Sequence, residues 1–160
     1  MHHTSHKLKF RTAYSQFYLC DKNTMGTTDS PGFWTEEAFA DKLAVEAGIL
    51  GVCIGTYSYV KCEVFPLAYQ PNETNFEPYD QVVEGSLEIK SGVLQVLDCP
   101  DSTVIMELTV APGFYRVRIK ATGLDSVVDE DLEADDTYLI EVWPATIASR
   151  QVLKKYPYSY

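Results

Sequence analysis

The chain has 160 residues, of which 46% are hydrophobic, and a formal net charge of −10. This length suits one domain, and it is enough to bury a core without help from a metal or a disulfide. The negative charge repels phosphate groups, so we expect no nucleic acid and no anionic membrane as direct partner, and instead predict a basic protein partner.

The N-terminal residues indicate the cellular compartment in which the protein is expected. Residues 1–11 are polar and basic, and no long apolar run follows them. No segment of the sequence approaches the roughly 18 apolar residues of a membrane-spanning helix. These patterns predict a cytoplasmic protein without a secretory signal.

The first predicted elements are a strand and a helix. The aromatic-rich segment 8–20 alternates as a strand does, and the turn residues Asn, Gly, Asp and Pro mark a loop at 21–33. One short helix is predicted near 35–47, where Thr35 is placed to cap the first turn and apolar residues recur at helical spacing. Gly48 is predicted to end this helix.

Strands follow one another after the helix. The predicted strands are 49–55, 58–65, 82–90 and 93–99, and a loop is predicted at 66–79. Ser91 and Gly92 separate the last two of these strands and predict a hairpin turn between them.

The clearest predicted hairpin spans 104–121 and turns through four residues. In this register Leu108 lies opposite Val117, and Glu107 lies opposite Arg118. Apolar side chains then share one face while opposite charges meet on the other. We therefore predict that the two strands of this segment pair directly.

The last predicted strand is 137–143, and Pro144 stops it. About seven to nine strands, one helix and frequent turns predict a mainly β fold, an antiparallel β-sandwich. We expect one domain over 1–160, with a mobile N-terminal end at 1–7 and a C-terminal tail at about 146–160.

The sequence lacks the groups that several classes of enzyme need for catalysis. The three histidines, His2, His3 and His6, precede the predicted body of the domain, so no positioned imidazole is expected. The sequence has no nucleophile elbow, phosphate-binding loop or zinc-protease motif. The four cysteines form no CxxC pair, so we predict free buried thiols, no metal site and no cofactor. A carboxylate-based hydrolase stays open, because paired carboxylates leave no sequence signature.

The acidic segment, residues 125–136, is the best interaction candidate. It reads DSVVDEDLEADD, contains no basic residue, and connects the strand ending near Ala121 to the strand beginning at Thr137. Its carboxylates are Asp125, Asp129, Glu130, Asp131, Glu133, Asp135 and Asp136.

Three interpretations of the acidic segment remain open. It is a solvated loop that keeps the protein soluble. Alternatively, it docks on a basic surface such as the substrate groove of a nuclease, where carboxylates occupy phosphate positions and speed association. The third interpretation is a calcium site built from loop oxygens, although the spacing lacks the EF-hand glycine and terminal glutamate.

The sequence contains 11 tyrosines, more than a small core requires. Tyr57 and Tyr59 share a predicted strand face with Lys61. This pattern is typical of an ordinary sheet face, and it also suits an interface, because tyrosine offers a large contact area at low entropy cost.

Two groups of motifs resemble known bacterial proteins. PGFYRVRIKATGLD at 112–125, followed by DTYLIEVWPA at 136–145, is similar to the C-terminal half of a group of uncharacterised bacterial proteins. YSQFYL at 14–19 and WTEEA at 34–38 resemble the competence protein J family, inhibitors of a competence-associated DNA-entry nuclease. The resemblance implies a β-rich domain and an inhibitor function, and it assigns no inhibitory residue.

The leading functional prediction is a non-enzymatic protein-binding module. It is a nuclease inhibitor or a toxin-immunity protein whose acidic segment meets a basic partner surface. A calcium-dependent β-sandwich module and a carboxylate-based hydrolase are the alternatives. The oligomeric state and the identity of the partner stay open.

Overall fold

The structure, a computed structural model, describes residues 4–24, 28 and 31–158. Within them the chain forms one α-helix, α1 (Glu36–Asp41), and strands in two sheets. The strands are β1 (His6–Arg11), β2 (Gln16–Asp21), β3 (Leu43–Glu46), β4 (Ile49–Cys53), β5 (Tyr59–Pro66), β6 (Gln81–Ile89), β7 (Val93–Leu97), β8 (Val104–Thr109), β9 (Gly113–Thr122), β10 (Thr137–Pro144) and β11 (Gln151–Lys154).

The two sheets confirm the mainly β sandwich. The six-stranded sheet has the order β1-β5-β10-β9-β6-β11, and the five-stranded sheet has the order β3-β4-β2-β7-β8. Strands β5 and β10 run parallel, and the other described pairs are antiparallel. The sandwich is therefore mostly, but not wholly, antiparallel.

The helix is confirmed, but it is much shorter than predicted. Thr35 caps it by accepting a hydrogen bond from the Ala38 amide at 3.1 Å. Lys42 ends it in the left-handed conformation, with φ of 61°. The apolar residues from Leu43 onward then form strand β3, so Gly48 lies in a β-turn and does not end the helix.

The predicted hairpin at 104–121 is wrong. Both of its strands exist, but β8 pairs with β7 in the five-stranded sheet, whereas β9 pairs with β6 and β10. Arg118 lies opposite Glu84 in β6, not opposite Glu107. Strands β6 and β10 offer β9 the same match of apolar and charged residues as β8 would. The local sequence pattern does not distinguish these partners.

The predicted hairpin at Ser91 and Gly92 is wrong for the same reason. Strand β6 belongs to the six-stranded sheet and β7 to the five-stranded sheet, so the turn carries the chain from one sheet to the other. The predicted strand at 8–20 is likewise divided between the sheets, into β1 and β2. The predicted strand at 137–143 coincides closely with β10, and those at 49–55, 58–65, 82–90 and 93–99 coincide with β4, β5, β6 and β7 to within two residues at each end.

The ends of the chain also differ from the prediction. His6 and Lys7 belong to β1, which pairs with β5, so they are not part of a mobile end. The C-terminal tail includes β11, an edge strand on β6. Residues 1–3 and 159–160 lie outside the described residues, so their predicted behaviour is not tested.

The sheets share one apolar core. Phe17 and Leu50 from the five-stranded sheet and Val117 and Ile140 from the six-stranded sheet are fully buried in the same cluster. Gly85 in β6 permits this close approach, because a Cβ atom there would lie 3.1 Å from Leu43 Cδ2. Burial of these side chains is the main source of stability.

The outer face of the five-stranded sheet packs beneath α1 and the residues before it. Phe33 and Ala38 are buried there against Tyr18. A Cβ atom at Gly51 would lie 2.8 Å from the Trp34 ring and 2.9 Å from the Phe33 ring. Only glycine fits beneath these two aromatic rings, which meet edge to face.

We therefore expect Gly51→Ala to lower the free energy of unfolding by about 1–3 kcal/mol, because two rigid rings must shift. Denaturant titration measures this change. Gly85→Ala is the control, since its nearest atoms belong to flexible leucine and valine side chains. An equal or smaller loss for Gly51→Ala would contradict the packing described above.

The outer face of the six-stranded sheet carries a buried charged layer instead of an apolar one. The Glu84 carboxylate lies 2.9 Å from Arg116 Nε and 2.6 Å from Arg118 Nε. Lys120 lies 3.2 Å from Glu141 and 2.9 Å from Glu73 of the loop between β5 and β6. The charged layer consists of Glu73, Glu84, Arg116, Arg118, Lys120 and Glu141.

Candidate functional site

The acidic segment forms a loop that is closed at its base. It leaves β9, passes through a short 3-10 turn at Leu124–Ser126, and enters β10 at Thr137. The hydroxyl groups of Thr122 and Thr137 are hydrogen-bonded at 2.6 Å. The Asp135 amide donates to Ser126 Oγ at 2.8 Å. These contacts fix where the loop starts and ends.

The middle of the acidic segment is held against β1 and β5. Glu133 lies 2.9 Å from Lys9 Nζ and 3.6 Å from Lys61 Nζ, and Lys61 also donates to the carbonyl of Ala134. The hydrogen bond from Lys9 lowers the pKa of Glu133, and the charge of both lysines adds to this effect. The Glu130 carbonyl accepts from the Tyr57 amide at 2.6 Å. The segment is therefore anchored at several points to the sheet beneath it.

Two of the predicted site residues make hydrogen bonds that serve the fold. Asp136 is buried and accepts from the Tyr138 hydroxyl at 2.8 Å. Asp125 accepts from the Tyr156 hydroxyl, and this hydrogen bond raises the pKa of Tyr156 to about 12. Asp125 thereby ties the start of the acidic segment to the C-terminal part of the chain.

All the carboxylates of the segment except Asp136 lie at the surface. Asp125, Asp129, Glu130, Asp131, Glu133 and Asp135 are exposed. The side chain of Asp129 accepts from the Asp131 amide at 2.9 Å, which gives the tip a tight turn. The described structure therefore presents an ordered tip of three consecutive acids at 129–131.

Exposed apolar side chains lie beside this acidic tip. Val128 is 86% exposed and Leu132 is 56% exposed, one on each side of it. Tyr57, whose amide contacts Glu130, is 38% exposed, and its ring meets that of Tyr14, which is 60% exposed. We call Tyr14, Tyr57, Val128 and Leu132 the aromatic face.

The aromatic face was only partly foreseen from the sequence. Val128 and Leu132 carry a signal, because apolar residues inside an acidic run have no solubilising role. Tyr57 was placed at the surface by strand alternation, although it precedes β5 in the structure. Nothing in the sequence marks Tyr14, which reaches this surface only through the turn between β1 and β2.

The calcium interpretation gains no support. Among the described residues, no group of three or more acidic, histidine or cysteine side chains is arranged to hold a metal ion. Within the acidic segment, Asp125, Glu133 and Asp136 are directed to tyrosine and lysine partners.

The hydrolase interpretation requires a cleft lined by carboxylates, and among the described residues one such cleft has a volume of ≈ 380 Å³ beside the turn between β3 and β4. Its described lining includes Asp21, Glu46 and Glu88. Asp21 accepts from the Ser91 amide at 3.1 Å, and Glu88 lies 3.9 Å from Lys90. Asp21 is thus held by Ser91, whereas the ion pair of Glu88 is long and largely exposed.

The thiols have a structural role. All four cysteines are free, and Cys20, Cys62 and Cys99 are buried. Burial raises the pKa of Cys20 to about 11 and that of Cys62 to about 12, so both stay protonated at neutral pH. A protonated thiol is a poor nucleophile.

The fold and the surface together define a β-sandwich protein that displays an ordered acidic tip beside exposed aromatic and aliphatic side chains. Among solved structures, the chain is similar to ComJ, the inhibitor of the DNA-degrading activity of NucA from Bacillus subtilis, with a TM-score of 0.67 and 16% identity. The alignment covers 91% of this chain and 100% of ComJ. The resemblance to competence protein J is therefore confirmed at the level of the fold.

A second solved structure shares the fold. The product of crocagin biosynthetic gene J aligns with a TM-score of 0.57 and 17% identity, over 91% of this chain and 100% of that one. No family model matches the sequence, and no curated protein matches it. Within the described residues, no helix has the length and hydropathy needed to cross a bilayer.

Proposed function

We propose that the chain is a non-enzymatic inhibitor that binds a basic surface of a nuclease or a related toxin. The observation that carries the proposal is the acidic tip, three consecutive exposed carboxylates held in place by anchors at Glu130 and Glu133. The resemblance of the whole fold to a nuclease inhibitor supports it.

The charge pattern of the tip suits a site that normally receives nucleic acid. A nuclease groove is lined with cations that contact phosphates, and a row of carboxylates meets the same cations. The anchors at Glu130 and Glu133 reduce the conformational freedom that the tip would lose on binding. Blocking the groove inhibits the enzyme without any chemistry by the inhibitor.

The test is inhibition of candidate nucleases, first of any nuclease encoded next to the gene for this chain. We expect the triple variant Asp129→Asn, Glu130→Gln, Asp131→Asn to slow association by at least about tenfold at low salt, because electrostatic steering is lost. The salt dependence of the association rate should become shallower as well. Stopped-flow fluorescence or surface plasmon resonance measures both rates.

The control variant is Glu37→Gln, Glu77→Gln, Asp101→Asn. These acids are also exposed, and the change in net charge is the same, but they lie outside the acidic segment. Equal slowing of association by both variants would mean that the tip acts only through the net charge of the protein. Absence of a complex with the unmodified chain at micromolar concentration would refute the inhibitor function itself.

A further inference from the structure

The turn between β1 and β2 holds Tyr14 in an uncommon conformation. Tyr14 and Ser15 both have left-handed backbones, with φ of 57° and 55°. L-residues avoid this region because Cβ approaches the carbonyl oxygen, and a tyrosine gains nothing locally from adopting it. The ring is also 60% exposed, so burial does not explain the conformation.

The surrounding structure enforces this turn. Thr12 Oγ1 donates to the Gln16 carbonyl at 2.6 Å, and the Ala13 amide donates to the Cys99 carbonyl at 2.8 Å. The Tyr14 ring then meets the Tyr57 ring edge-on, with centroids 6.3 Å apart. Strain that the fold maintains around an exposed side chain is typical of functional surfaces.

The Tyr14–Tyr57 pair is physically joined to the acidic tip. The amide of Tyr57 donates to the Glu130 carbonyl at 2.6 Å. Val128 and Leu132 are each two residues from Glu130, so their Cα atoms lie within about 7.6 Å of it. The aromatic face and the acidic tip therefore form one continuous surface.

We infer that the aromatic face anchors an arginine-bearing surface of the partner; this inference rests on the proposed function. A guanidinium is planar and weakly hydrated, so it stacks on a tyrosine ring while donating to a neighbouring carboxylate. Ammonium groups meet the charge but stack less well. The juxtaposition of exposed rings with Asp129, Glu130 and Asp131 thus selects arginine.

The molecule uses the same contact internally. The guanidinium of Arg118 lies 5.3 Å from the Phe76 ring centroid and 5.1 Å from that of Trp143, while Glu84 receives its Nε hydrogen. Arg11 lies 5.6 Å from the Tyr59 ring centroid, and Lys9, which pairs with Glu133, lies 4.8 Å from the same centroid. Aromatic rings beside a carboxylate accommodate cations in this fold, and the aromatic face presents such a combination to solvent.

The aromatic face and the acidic tip should control different rates. Long-range charge sets how fast partners meet, whereas buried aromatic anchors set how long they stay together. We expect Tyr14→Ala with Tyr57→Ala to raise the dissociation rate of the complex with the inhibited nuclease by at least about tenfold. The association rate should stay within about twofold, because no charge is changed.

Two controls accompany this measurement by surface plasmon resonance. Tyr69→Ala removes a tyrosine that is 79% exposed in the loop between β5 and β6, and it should change neither rate. Tyr57→Phe keeps the ring and should dissociate like the unmodified chain. Circular dichroism melting verifies that each variant is folded.

The outcomes separate the two proposals. A normal dissociation rate for the double alanine variant, in a complex that forms normally, overturns the aromatic anchor and leaves the inhibitor function standing. No complex with the unmodified chain overturns both. Hexa-arginine should also displace the nuclease at a lower concentration than hexa-lysine, and equal potency would overturn the selection of arginine.

Discussion

Replacing Glu84 with glutamine is expected to lower the free energy of unfolding by about 3–5 kcal/mol. This one carboxylate receives hydrogen bonds from Arg116 Nε at 2.9 Å and Arg118 Nε at 2.6 Å. The three side chains are 3–8% exposed, so water cannot replace the lost charge. A neutral amide leaves two buried guanidinium groups without their counter-ion.

The two arginines differ in what else holds them. Arg116 also donates to the carbonyls of Ala148 and Ser149, at 3.1 and 2.9 Å, and so fixes the segment that leads to β11. Arg118 Nη1 is buried and has no hydrogen-bond partner among the described residues. Glu84 is therefore the main hydrogen-bond acceptor for Arg118. Its replacement should destabilise the surroundings of Arg118 more than those of Arg116.

Glu88→Gln provides the matched control for Glu84→Gln. Both residues lie in β6, but the Glu88 side chain is 31% exposed and lies 3.9 Å from an exposed lysine. Such a surface pair contributes at most about 1 kcal/mol. Guanidinium chloride unfolding of both variants measures the difference, and similar losses would show that the charged layer does not stabilise the fold.

The charged layer also shows what a single sequence reveals about a β-fold. Alternation in YRVRIKA correctly predicted β9 and its two faces, since side-chain direction has a period of two residues. The partner of Arg118 was not predictable, because Glu84 and Glu107 offer the same charge at equivalent positions in different strands. Alternation fixes the faces of a strand and leaves its neighbours open.

The helix prediction failed at Leu43, which fits both the spacing of a helix face and the alternation of a strand. Phe39 and Leu43 are four residues apart, as on a helix face, and Leu43 with Val45 alternates as in a strand. The decisive residue is Lys42, whose left-handed conformation ends α1. A lysine there carries no sequence signal, since glycine or asparagine is the usual choice.

The acidic segment was recognisable as a unit, but its internal roles were not. Exposure of the tip follows from three consecutive acids, which resist burial. The ion pairs of Glu133 depend on Lys9 and Lys61, which are distant in sequence, so only the folded arrangement reveals them. Burial of Asp136 against Tyr138 is likewise a consequence of strand β10.

A second large effect is expected at the base of the acidic segment, where Gly123→Ala should lower the free energy of unfolding by about 2–4 kcal/mol. Gly123 has a left-handed backbone with φ of 72°. A Cβ atom there would lie 2.5 Å from the Asp135 carbonyl oxygen, a backbone atom that cannot rotate away. The returning arm of the segment must therefore move, which weakens the hydrogen bond from Asp135 to Ser126.

Gly48→Ala separates the two causes of this loss. Gly48 has nearly the same backbone conformation, with φ of 75°, but its Cβ atom would meet Thr24 Oγ1, a side-chain atom, at 2.8 Å. The Gly48→Ala variant should lose only about 1–2 kcal/mol of unfolding free energy, which is the cost of placing alanine in the left-handed conformation. Hydrogen exchange adds a local readout, since the Asp135 amide should exchange faster in Gly123→Ala and at its normal rate in Gly48→Ala. Equal stability losses with an unchanged Asp135 amide would mean that the acidic segment is not held closed at Gly123.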